Sequence, residues 1–72
     1  MNPEYDPGDL LLLGSAKDAE IVTIVDVTRV QKGDTLYALY NYTILRKSGQ
    51  ITDVSCTMLS ELARQGVCKK IT

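Results

Sequence analysis

The chain contains no histidine, no tryptophan and no phenylalanine. Without an imidazole there is no Ser-His-Asp or Cys-His nucleophilic unit, and no zinc site that depends on a His ligand. Cysteine is scarce: Cys56 and Cys68 are too few for the bridged framework of a small secreted scaffold. They lack the Cys-x-x-Cys spacing and read as small buried apolar residues. No glycine-rich phosphate loop and no metal-ligand spacing occurs, so no cofactor, no metal and no catalytic activity is expected. The run Leu10-Leu11-Leu12-Leu13 is far shorter than the roughly 20 residues a bilayer crossing takes. The opening stretch MNPEYDPGD has neither the basic start nor the apolar core of a signal peptide. The expectation is a cytoplasmic protein with no membrane segment.

What remains is a small, β-rich composition. The 72 residues are 44 % hydrophobic, enough for one domain with a thin core. Gly and Pro divide the chain into short segments. Pro3 and Pro7-Gly8-Asp9 mark an irregular acidic N-terminal arm over residues 1–8, ahead of a single domain over 9–72. Gly14-Ser15, Gln31-Lys32-Gly33-Asp34 and Arg46-Lys47-Ser48-Gly49-Gln50 mark turns. Residues 20–30, EIVTIVDVTRV, are dense in β-branched side chains. Their apolar residues fall on both parities, as in a strand buried partly on both sides or one that changes face at a bulge. Asp26 inside this run marks the exposed face or the bulge. In residues 35–45, Leu36, Ala38, Tyr40, Tyr42 and Ile44 alternate onto one face, the pattern of a half-buried antiparallel strand. Val54, Cys56 and Met58 extend the same alternation through residues 50–58. Ser60 is then placed to cap a short helix over 60–65, with Glu61 in its first turn and Gly66 closing it in a left-handed conformation. Residues 67–71 form a closing strand.

Five short strands, with a helical turn before the last, resemble the SH3-like barrel superfold. The expected fold is therefore mainly β, a small five-stranded SH3-like barrel with one short helix before the last strand. Such a barrel pairs or shortens sheet edges that would otherwise aggregate. An OB-like barrel places its helix earlier in the chain, and an open antiparallel sheet with the helix on one face is the remaining option. Ala38-Leu39-Tyr40-Asn41-Tyr42 resembles the ALYDY motif of proline-binding SH3 domains, and Gly8-Asp9-Leu10 resembles a second segment of that family. Here the two occur in reversed order and the groove tryptophans have no counterpart, so the usual polyproline groove is not expected.

The functional expectation is a non-catalytic protein-binding module, a regulator or inhibitor of a larger machine. Very small single-domain chains without cofactor motifs often act so, virus-encoded ones among them. The candidate contact residues are Glu4, Tyr5, Asp6 and Asp9 of the arm, with Tyr5 either an anchor for a partner or a plug over the domain. Tyr37 and Leu39, on the more polar face of their strand, complete the set. The alternatives are a structural subunit of an oligomer or a nucleic-acid-binding barrel resembling the KOW or Tudor-like groups. The nucleic-acid reading would use Arg29, Lys32, Arg46, Lys47, Lys69 and Lys70. Against it stand a pI near 5.1 and the scarcity of aromatics. Charge is split along the chain, acidic up to Asp26 and basic beyond it.

Overall fold

The computed structural model describes residues 4–15, 17–30 and 39–72. Its strands are β1 (Leu10–Leu13), β2 (Glu20–Val30), β3 (Leu39–Leu45), β4 (Ile51–Ser55) and β5 (Cys68–Lys70), with one helix, α1 (Cys56–Arg64), before β5. All pair antiparallel in a single sheet of order β4-β3-β2-β1-β5. The fold is mainly β with one short helix before the last strand, as expected, but the sheet does not close into a barrel. Instead β4 and β5 form its two edges. The core is covered by α1 and by the N-terminal arm, which occupy the face that a closed barrel would fold over itself.

The sheet buries one face. Leu11, Val22, Ile24, Tyr42 and Ile44 point into the core and meet Leu59 of α1, Cys68 of β5 and Tyr5 of the arm. The mixed parity of β2 is explained by a bulge between Ile24 and Asp26. Ile24 is opposite Ile44, whereas Asp26 is opposite Thr43 and Val27 opposite Tyr42. The extra residue, Val25, therefore changes the strand's facing. Asp26 is kept out of the core, Val27 is packed against it, and the Asp26 carboxylate accepts from the Val27 amide at 2.9 Å. The 46–50 turn closes the β3–β4 hairpin as anticipated. The Arg46 amide donates to the Gln50 carbonyl, and Gly49 adopts φ +89°, the left-handed position that a three- to five-residue hairpin loop reserves for glycine.

The helix starts earlier than the alternation suggests. Ser55, not Ser60, is the N-cap, and its hydroxyl accepts from the Met58 amide at 3.1 Å. Residues 56–58 are thus helical rather than strand. Val54-Cys56-Met58 satisfies a period of two, but Cys56, Leu59 and Leu62 satisfy a helical repeat equally well, and a capping serine decides between them. Glu61 consequently lies in the second half of α1, where it pairs with Arg64. The C-terminus is as expected. Gly66 has φ +82°, its amide donates to Ala63, and the Val67 amide donates to Leu62. These two bonds form a Schellman motif, and its usual apolar contact is available between Leu62 and Val67.

Candidate functional site

The arm is part of the core. Pro7 and Gly8 (φ +97°) turn the chain, with the Asp9 amide donating to the Asp6 carbonyl at 3.0 Å. The Gly8 amide and the Asp9 carbonyl then bond to Ile24 of β2. That turn sends Tyr5 back under the sheet, where it is 7 % exposed. Its ring meets Tyr42 edge-on at 5.5 Å, and its hydroxyl lies 3.9 Å from the Cys68 thiol. The Glu4 amide donates to the Tyr42 hydroxyl at 3.2 Å. Of the two roles open to Tyr5, the geometry is that of the plug. Burial pushes the Tyr5 hydroxyl up to about 12, and it also raises Tyr42 and the Cys68 thiol. All three are favoured neutral in the fold. The stability they contribute is complete below their unfolded values and is lost as pH rises through the folded ones. Absorbance titration of the folded protein should therefore show tyrosine ionisation extending above the ordinary value near pH 10, with stability falling as pH rises towards 12. A simple titration of all four tyrosines near pH 10 would contradict this packing.

The remaining sequence candidates are scattered. Asp9 sits beside Lys70 at 3.3 Å, and its carboxyl is held low by the Asp6 amide and then by Lys70. Leu39 begins β3 opposite Val30, six residues along β2 from the point where the arm docks. Tyr37 and Lys32 lie outside the described residues. Arg46 is paired with Glu20 at 2.6 Å, and the Lys47 amide donates to the same carboxylate. Arg46 and the Lys47 amide hold Glu20 below the usual carboxylate range. Arg29 stands near the opposite end of β2, and Lys69 is on β5. The acidic and basic parts of the sequence thus meet across the sheet, and the five candidate cations among the described residues do not gather into one groove.

Among the described residues no group of three acidic or cysteine side chains could hold a metal, and no buried side-chain polar atom lacks a partner. A cleft of about 360 Å³ opens between α1 and the sheet, lined by Leu13, Ile44, Val54, Leu62 and Val67. The Glu20–Arg46 pair stands at its rim. Among the described residues no helix is long and apolar enough to cross a membrane.

The feature that stands out is the other face of the sheet. An antiparallel sheet with one buried face ordinarily turns polar residues outward. Here the register aligns Ile51, Leu45, Thr23 and Leu10 in one row across β4, β3, β2 and β1, and Ile71, just past β5, continues it by donating its amide to Leu10. Ile21 and Leu12 extend the apolar surface on one side of that row, and Val25 at the bulge extends it on the other. Ile51 is 63 % exposed and Ile21 51 %, with Val25, Leu45 and Ile71 also exposed. Nothing among the described residues packs over this surface. The signal for it was present in the four consecutive leucines of β1 and the two-parity pattern of β2, both typical of strands wanted apolar on both sides. Ile51, Leu45 and Ile71 carried no such signal, because only the register brings them together. No protein-family model, curated protein or solved structure matches the chain.

Proposed function

We propose that the chain is a non-catalytic protein-binding module that engages its partner through the uncovered face of the sheet. One observation carries this reading: Ile51, Leu45, Ile71, Ile21 and Val25 stand exposed on one face of the sheet, with half-buried Leu10, Leu12 and Thr23 between them. Scattered exposed apolar residues are ordinary, but a contiguous patch of several hundred Å² marks an interaction surface. The element order, a four-stranded meander followed by a helix and a strand returning to β1, supports an architectural kinship with SH3-like domains. In this reading the arm stabilises the domain, and the dispersal of the described cations, two of them held in ion pairs, weighs against nucleic acid as the ligand.

The test is site-resolved crosslinking in the cells that make the protein. A photo-crosslinking residue at Ile21 or Ile51 is expected to give adducts with polypeptide, and the same residue at Ser60 on the exposed side of α1 is expected to give none. Absence of adducts from both sheet positions, or equal yields from Ser60, would overturn the proposal.

A further inference from the structure

We infer that the occupant of the uncovered sheet face is a second copy of this chain, packed face to face about a two-fold axis. The inference rests on the protein-binding reading above and names its partner. Its basis is where the charges on that face stand. Asp53 lies on edge strand β4, opposite Thr43, on one side of the central Ile51–Leu45–Thr23–Leu10–Ile71 row. Lys69 lies on the other edge strand, β5, opposite Leu12, on the other side of the row. The two are therefore at diagonal corners of one apolar surface. Asp26, opposite Thr43 from the β2 side, adds a second carboxylate to the acidic side.

An isologous interface places residue i of one copy against residue j of the other, and j against i. A two-fold axis lying in the interface, perpendicular to the Asp53–Lys69 diagonal, sets each Lys69 over the other copy's Asp53. The same operation lays the aliphatic row of one copy across Ile21, Leu12 and Val25 of the other. Asp53 accepts from the Thr43 hydroxyl at 2.8 Å, which orients it without neutralising it. The net charge of −1 leaves little repulsion between copies. Five strands about 4.8 Å apart and averaging about 20 Å in length present a face of roughly 400–500 Å². A standard interface buries about 800 Å² per partner, so this dimer belongs to the small, transient class. Its dissociation constant is expected in the micromolar range.

Sedimentation equilibrium from about 5 µM to 1 mM tests this. The mass of the intact chain should rise with concentration from 7.9 kDa towards twice that value. Lys69→Glu and Asp53→Lys each turn both diagonal contacts repulsive and should weaken the dimer by about tenfold or more. Mixing the two variants should restore association, because in the mixed pair both contacts are again of opposite sign. Both positions are exposed, and circular dichroism confirms that each variant is folded. A chain that stays monomeric to 1 mM overturns the inference. So does a dimer indifferent to both substitutions, the behaviour expected of a contact elsewhere on the surface. Crosslinks from Ile21 and Ile51 to a different protein, from a chain monomeric in solution, would reject the second copy while retaining the binding module. Absence of crosslinks and of self-association together would reject both.

Discussion

Leu59→Ala is expected to remove about 2–5 kcal/mol of stability, the usual cost of emptying a buried leucine site. Leu59 is 1 % exposed and is the only buried residue of α1. Cys56 and Leu62 are half-buried beside it, so the helix has one full anchor. Nine residues are too few to hold a helix without such contacts. At about 0.05–0.15 kcal/mol per residue, a 72-residue chain has only about 4–11 kcal/mol in all. The substitution should therefore remove a large share of the fold and strip the sheet of its helical cover. Chemical denaturation followed by circular dichroism reads the change. Leu59→Met, which nearly conserves volume, should cost less than about 1.5 kcal/mol. Equal stability of the alanine variant and the parent would show that α1 does not pack as described.

Tyr5→Ala should be nearly as damaging, at about 3 kcal/mol. The residue lies close to the start of the chain, where substitutions are ordinarily tolerated. Tyr5 differs because its ring closes one side of the core against Tyr42 and Cys68. Around 1 kcal/mol shifts the melting temperature of a domain this size by about 4–8 °C, so a fall of more than 10 °C is expected. Tyr5→Phe keeps the ring and its edge-on contact and loses only the long approach to the thiol, so its melting temperature should stay within a few degrees of the parent. An unchanged melting temperature for the alanine variant would return the arm to the role of a free binding element.

Local features of this fold were legible in the sequence where one residue type has one physical use. Gly49 and Gly66 sit at left-handed positions, and Asp26 within a β-branched run marks a bulge. The start of α1 was not legible, because Cys56 and Met58 fit both periods and two serines compete as caps. Barrel closure was not legible either. Whether β4 reaches β5 depends on how α1 and the arm fill the core face, and no local pattern reports that. The candidate site followed the same division. Tyr5 stood open as anchor or plug, because an aromatic residue in a polar arm can serve as either, and only the turn at Pro7-Gly8 directs it inward. The row of Ile51, Leu45, Leu10 and Ile71 draws on β4, β3, β1 and the residue after β5, so it exists only once the register is known.

The most direct test of a binding role for the sheet face is the double substitution Ile21→Lys and Ile51→Lys, followed for both stability and association. Both side chains are more than half exposed. The folded monomer should keep its denaturation midpoint to within about 0.5 kcal/mol, as for surface positions in general. Association through the face, whether with another copy or another protein, should be abolished. A variant that loses several kcal/mol as a monomer, or that keeps its partner, would contradict the account.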